Sequence, residues 1–366
     1  MIKYIFILTS FLMVLYAQNN STLTQEMKLK QMIAHMLIVG FKTTNVDEKD
    51  DIYKYIHEYE LGGVILFDKH YNNRTLSKNI HSPVQLKKLT KTLQNISSRK
   101  LIISIDQEGG RVARLKEEYG FSPTYSAAHI AKKNDDIFAK KMYTKLAKEL
   151  SKYGINCNFA PVVDLALNEE NKVIYQLERS YGSNSEDVVR NADIFMQALA
   201  NNGVLSVLKH FPGHGSSLGD SHKGFVDITK TWNVKELEPY IQLIKMGDVK
   251  MIMTAHVYNK LLDEQYPATL SYKINTKLLR EKIAYKGVII SDDMQMKAIS
   301  QDYNLSNSVI LAINAGVDIL LFANQLSSQD TGELIDIIYE QVKNKSIPYS
   351  RIVESNERIA KLLEEI

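Results

Sequence analysis

The chain has 366 residues and a formal net charge of +3, with 45 Lys and Arg against 42 Asp and Glu. The charges are scattered, so nucleic-acid or membrane-surface binding is unsupported, and the single cysteine, Cys157, excludes an intramolecular disulfide and any multi-cysteine metal site. The length suits one large α/β domain or two smaller ones resting on an apolar core.

Met1, Ile2 and Lys3 precede a mostly apolar run from Tyr4 to Tyr16 that ends at Ala17, after which Gln18, Asn19 and Asn20 turn polar. This pattern is that of a secretory signal peptide cut near Ala17. A membrane anchor needs roughly 20 apolar residues, and this run is shorter. The expectation is an exported, periplasmic protein with a signal over 1–17 and one mature domain over 18–366.

Short apolar, β-rich runs then recur at 36–41, 63–67, 101–106, 156–163, 205–209, 250–254, 288–291 and 318–322. Segments with apolar residues at helical spacing, such as 137–153, 188–201, 235–246 and 305–315, lie between them, and 349–366 reads as a closing amphipathic helix. Regular alternation of strand and helix predicts βα units and a parallel sheet. Eight strands favour a closed (β/α)8 TIM-type barrel over an open doubly wound sheet. Cys157 falls inside the fourth run and reads as a buried, inert thiol.

In such a barrel the active site lies at the C-terminal ends of the strands. Those ends carry Asp106-Gln107-Glu108-Gly109-Gly110-Arg111, Asp164, Lys209-His210, His256 and Asp292-Asp293. Singly, each could cap a helix or satisfy buried backbone; together they converge on one mouth. After the fifth strand, the Gly-rich stretch from Phe211 to His222 reads as a mobile loop over that mouth. Within it Asp220 and His222 stand two apart, a spacing that lets a carboxylate orient an imidazole and raise its proton affinity.

The run Lys209-His210-Phe211-Pro212-Gly213-His214-Gly215, followed by Asp220-Ser221-His222, resembles glycoside hydrolase family 3, and more narrowly its NagZ-type β-N-acetylglucosaminidases. The resemblance extends through Asp106 to Arg114, Ala160-Pro161-Val162-Val163-Asp164, Arg179-Ser180-Tyr181-Gly182 and Ser291-Asp292-Asp293-Met294. It implies Asp292 as nucleophile, His222 as acid/base and Asp220 as the group that orients it. Asp106, Arg114, Arg179, Lys209 and His210 match the residues that hold the sugar, and Asp293 is a neighbour of the nucleophile. The implied activity is exo-hydrolysis of terminal β-linked N-acetylglucosamine with retention, through a glycosyl-aspartate, without metal or organic cofactor. The implied fold is a single barrel, without the C-terminal domain that supplies a glutamate acid in the β-glucosidase branch. Peptidoglycan-derived fragments are the natural expectation for an exported relative, chitin oligosaccharides and other glycans stay open, and a monomer is expected.

The sequence departs from the family before Arg179, where Tyr175-Gln176-Leu177-Glu178 stands in place of the usual Ile-Gly pair and Asp. Rival readings are a family 3 β-glucosidase, a phosphate-using N-acetylglucosaminide phosphorylase, and an exported sugar-binding barrel without turnover. A metallohydrolase using His210, His214, His222 and the Asp292-Asp293 pair conflicts with Pro212 and Gly213, which break the helix that the i, i+4 zinc motif needs. A Schiff-base role for Lys209 requires a depressed pKa.

Overall fold

The structure, a computed structural model, describes residues 23–366; the signal peptide expected over 1–17 lies outside the described residues. Eight strands form a closed, all-parallel barrel in sequential order. They are β1 (Leu37–Gly40), β2 (Gly63–Leu66), β3 (Ile102–Ile105), β4 (Cys157–Asn158), β5 (Leu205–Phe211), β6 (Met251–Thr254), β7 (Val288–Asp293) and β8 (Ile319–Phe322). Closure comes from β1, whose Ile38 pairs with Gly63 of β2 on one side and with Leu321 of β8 on the other. The strands are buried throughout apart from Asp292, as expected of strands packed inside a ring of helices.

Helices follow the strands in the expected places, Asp136–Lys152, Ser185–Ala200, Leu305–Ala315 and Tyr349–Leu363 among them. Their starts are fixed by side chains that accept from first-turn amides: Asp135 from Ile137 and Phe138, Asn184 from Glu186, and Asn304 from Asn307. The segment expected as one helix over 235–246 is instead a 3-10 turn, Val234–Leu237, running into a helix at Glu238–Met246. A π-helix at Lys273–Lys282, between β6 and β7, was not anticipated.

The fourth strand is much shorter than the run 156–163 predicts. Pro161 has no N–H to give to the ladder, and regular pairing stops at Asn158. Contact with β5 resumes beyond it, where Val163 N donates to Lys209 O. Cys157 is fully buried and burial pushes its thiol up, as expected of an inert cysteine. No helix among the described residues is long and apolar enough to cross a membrane.

Candidate active site

One cavity of about 540 Å3 opens at the C-terminal end of the barrel, and Asp106, Arg114, Arg179, Lys209, His210, His222 and Asp292 all line it. The residues expected to attack, to transfer the proton and to hold the sugar are thus on the wall of a single pocket, whereas Asp220 and the strand-end residues Asp164 and His256 are not. Asp220 lies next to the wall and bonds to His222.

Two irregularities in the sheet aim adjacent residues at this pocket. Successive side chains of a regular strand point to opposite faces, yet Lys209 and His210 both line the cavity, as do Asp292 and Asp293. The register of β5 against β6 shifts between Leu208 and Phe211, and that of β7 against β8 between Ile290 and Asp293. Such bulges re-aim side chains beside active sites.

After β3 the chain folds back on itself. The Gln107 side-chain oxygen accepts from Arg114 N and Leu115 N at 2.8 and 2.9 Å, and its amide nitrogen donates to Leu115 O. Gly109 and Gly110 make the turn with φ of 105° and 57°. A Cβ on Gly109 would stand 2.1 Å from Tyr125 O, so the close approach requires glycine. The turn brings the Arg114 guanidinium 3.3 Å from Asp106 and over the Phe67 ring.

Beneath the mouth lies a buried ion network centred on two carboxylates. Lys209 donates to Asp106 at 2.9 Å and lies 2.7 Å from Glu108. Arg179 grips Glu108 with two bonds of 2.7 Å and also donates to Val173 O, the fork geometry that suits guanidinium and carboxylate. Burial opposes the charge on Asp106, but Lys209 and Arg114 outweigh it and hold the carboxyl well below its usual range. Burial likewise opposes the charge on Lys209, and Asp106 and Glu108 hold its proton affinity above the ordinary value. That is opposite to what a Schiff-base lysine needs. The sequence shows Glu108 only as part of the motif after the third strand, with no role of its own.

Asp164 organises the next layer. Its Oδ2 lies 2.7 Å from His210 Nδ1, and its Oδ1 accepts from the backbone N–H groups of His210 and His214. A carboxylate only accepts, so His210 Nδ1 carries a proton, and Nε2 stands 3.4 Å from the Arg179 guanidinium. His214, buried beside it and bonded to Ser217, is lowered to about 4 by burial and then by His210. The departure at 175–178 places Leu177 on the cavity wall. Glu178, at φ 58°, turns its side chain away to accept from Ser126.

At the other side of the cavity, Asp292 Oδ1 accepts from Asp293 N at 2.8 Å. Burial would raise its pKa, but His256, His210 and His222 outweigh burial and keep the group a carboxylate. Asp293 takes the opposite course: burial pushes it up to about 6, although it accepts from Ala323 N and Gln295 N. His256, at the end of β6, donates through Nε2 to Asp293 O at 2.9 Å and so ties β6 to the peptide beside Asp292.

The stretch expected as a mobile loop is divided. Phe211 belongs to β5, and residues 212–217 are buried. Asn171 donates to His214 O and Gly215 O, and Trp232 Nε1 to Pro212 O. Gly215 fits because any Cβ would stand 1.7 Å from Leu165 O. Only the tip projects, with Leu218 60% exposed and the His222 side chain 51% exposed. There His222 Nδ1 lies 2.9 Å from Asp220 Oδ1, which raises the imidazole above its ordinary value and brings Asp220 down to about 2. Nδ1 is committed to the carboxylate, and Nε2 is the nitrogen free to exchange a proton. Among the described residues no group of three or more His, Cys, Asp or Glu side chains is disposed to hold a metal ion.

The family model for the glycosyl hydrolase family 3 N-terminal domain matches residues 24–362. Beta-hexosaminidase A of Pseudoalteromonas piscicida is 36% identical over 332 residues, 84% of this chain and 54% of that protein, so the chain spans about half the length of that relative. A beta-hexosaminidase of Tolumonas auensis is 34% identical over 267 residues, 72% of this chain and 76% of that one. Among solved structures, a family 3 β-N-acetylglucosaminidase from Paenibacillus superposes with a TM-score of 0.81 at 32% identity, covering 92% of this chain and 62% of that chain. With a matching model over nearly all described residues and a barrel whose mouth gathers these side chains, the chain belongs to glycosyl hydrolase family 3.

Proposed function

We infer that the protein is a retaining exo-β-N-acetylglucosaminidase that releases terminal β-linked N-acetylglucosamine by way of a glycosyl-Asp292 ester. The observation that carries this reading is a single cavity in which a held-open carboxylate, Asp292, shares the wall with an imidazole supported by its own carboxylate, His222 on Asp220. The hexosaminidase names of two relatives and the β-N-acetylglucosaminidase among the similar structures support the choice of sugar.

In this reading Asp292, anionic and with Oδ1 fixed by Asp293 N, attacks the anomeric carbon through Oδ2. His222 gives its Nε2 proton to the departing oxygen. Water, deprotonated by the same nitrogen, then cleaves the ester and returns Asp292 as a carboxylate. Asp220 stabilises the imidazolium before the first step and after the second. Asp106, Arg114, Arg179, Lys209 and His210 hold the sugar. Arg114 and Asp106, whose side chains are 25% and 18% exposed on the cavity wall, can donate to and accept from hydroxyls, and His210 shares that wall. No step calls for a metal or organic cofactor.

The reading includes export directed by residues 1–17, a mature domain over 18–366, action as a monomer, and peptidoglycan-derived glycosides as the natural substrates. The decisive assay is hydrolysis of para-nitrophenyl β-N-acetylglucosaminide beside the matching β-glucoside, with and without phosphate. Selective release from the acetamido sugar, giving free N-acetylglucosamine at a rate indifferent to phosphate, is expected. Preference for the glucoside, or a sugar phosphate as product, would replace the reading with β-glucosidase or phosphorylase respectively.

A further inference from the structure

The loop that carries Asp220 and His222 stands on a carboxylate that the reaction does not use. Glu236 is 1% exposed and follows Asn233 in the turn after the loop. Its Oε2 accepts from Gly215 N at 2.9 Å and its Oε1 from the Ser216 hydroxyl at 2.6 Å. The plainer role, closing a capping box on Asn233 N, is served by a bond of 3.5 Å, so the short bonds go to the loop. The chain is packed directly on this side chain: Gly213 has a φ of 116°, and a Cβ there would stand 2.5 Å from Glu236 Cβ.

No cation is paired with Glu236 among the described residues. Burial pushes it up to about 7, against the Ser216 and Gly215 bonds that favour its charge, with Asp164 adding to the rise. A buried carboxyl with no counter-ion is costly in a turn that an uncharged residue could cap. What it does secure is the boundary between the buried half of the loop, 212–217, and the exposed tip. Beyond that boundary the tip is tied to the rest of the barrel by few bonds, one being Ala298 N to Ser221 O at 3.2 Å.

We propose that Glu236 is a positioning residue for proton transfer: by holding the Gly215 N–H and the Ser216 hydroxyl it sets where the exposed tip presents the His222 imidazole. It rests on the reading of His222 as acid/base. Glu236 therefore acts on the step that needs an acid, and leaves attack by Asp292 on an easily departing group almost untouched. A scaffold role alone would lower both alike.

The test measures kcat/KM on two substrates, para-nitrophenyl β-N-acetylglucosaminide, which needs little acid help, and the β-1,4-linked N-acetylglucosamine disaccharide, which needs much. Full-length Glu236→Ala, Glu236→Gln, Ser216→Ala and His222→Ala are compared with the wild type, with thermal midpoints alongside. General acids contribute about 10²- to 10⁴-fold, and Glu236→Ala is expected to lower the disaccharide-to-nitrophenyl ratio of kcat/KM by about tenfold, in the same direction as His222→Ala. Glu236→Gln should restore most of the ratio, because its amide oxygen still accepts from Gly215 N. Ser216→Ala keeps the carboxylate, and a smaller fall in the ratio is expected from it even where Glu236→Ala does not fold. Equal losses on both substrates in the folded variants, or an unchanged ratio, overturn the proposal while leaving the hydrolase reading intact. A wild type inactive on both substrates overturns that reading and this inference with it.

Discussion

At the floor of the barrel, just before β8, Asp318 is fully buried among Arg280, Arg351 and Arg358. At the mouth, Asp106 and Glu108 are held by Lys209, Arg179 and Arg114. Both are buried ion networks of similar membership, and they differ in what is left over. Asp318 also accepts from Ile289 N and the Ser355 hydroxyl, while the arginines donate to Gly287, Gly316, Ile313 and Val317 carbonyls. The floor network therefore encloses its carboxylate completely, with Arg358 alone reaching the surface at 26% exposure, and joins β7, β8 and the last helix. The mouth network keeps its unused capacity on the cavity wall, where the Arg114 side chain is 25% exposed and that of Asp106, its carboxylate, 18% exposed. A closed network serves stability, whereas an open one holds charged groups ready for a ligand and gives up some stability to do so.

The sharpest test of that division is to remove one group from each end. Asp292→Ala is expected to cut kcat/KM by roughly 10⁴-fold or more, with a thermal midpoint equal to or above that of the wild type. Asp318→Asn should do the reverse. It leaves Arg280 without its anion and Arg351 and Arg358 with only Glu354, and breaking a buried network in this way costs about 3 to 5 kcal/mol. The midpoint should fall, while kcat/KM per folded molecule stays unchanged. Loss of activity in folded Asp318→Asn would mean that the two ends are not independent.

This comparison also marks what the sequence makes legible. The eight strands stand out because each is an apolar run bounded by polar residues, and the mouth residues stand out because they follow those runs directly. Asp318 follows the same rule to a different place: it reads as the first residue of the eighth strand, and only the chain's return through Arg351 and Arg358 makes it a hub. Glu108 shares a hexapeptide with Asp106, yet its importance depends on Arg179 and Lys209, which are far along the chain and need a second carboxylate between them. Glu236 sits on another element and reads as an ordinary helix residue. The loop from Phe211 reads as mobile because it is rich in glycine. In the structure those glycines serve close packing, Gly213 on Glu236 and Gly215 on Leu165 O, which no local pattern distinguishes from flexibility.

A smaller effect separates orientation from charge within the mouth. Glu108→Gln keeps the shape of the clamp but removes its anion, so Arg179 loses a paired fork and Lys209 one of its two carboxylates. Misplacement of substrate-holding groups by about 1 Å costs on the order of 10²-fold. A loss of that order in kcat/KM is expected, with a rise in KM for the acetamido sugar, and steady-state kinetics on the nitrophenyl substrate measures it. A change in kcat alone, with KM untouched, would separate Glu108 from sugar binding.

The mildest variant lies on the exposed tip, where no network is closed. In Asp220→Asn the amide oxygen can still accept from His222 Nδ1, so orientation is largely kept and the negative charge is lost. That charge, through the hydrogen bond first, raises the imidazole above its ordinary value; without it the imidazole loses its proton at lower pH. Cleavage of the disaccharide needs the protonated form, so kcat/KM declines as pH rises through the His222 pKa, and the variant should show this decline at lower pH than the wild type. Above the variant's new pKa the loss on the disaccharide is expected to be a few-fold, about threefold to tenfold, with little change for the nitrophenyl glycoside. Because the His222 side chain is half exposed, thermal stability should be almost unaffected. If the alkaline limb stays where it is in the wild type, the proton that governs cleavage is not on His222, and the tip of the loop has no part in the contrast between mouth and floor.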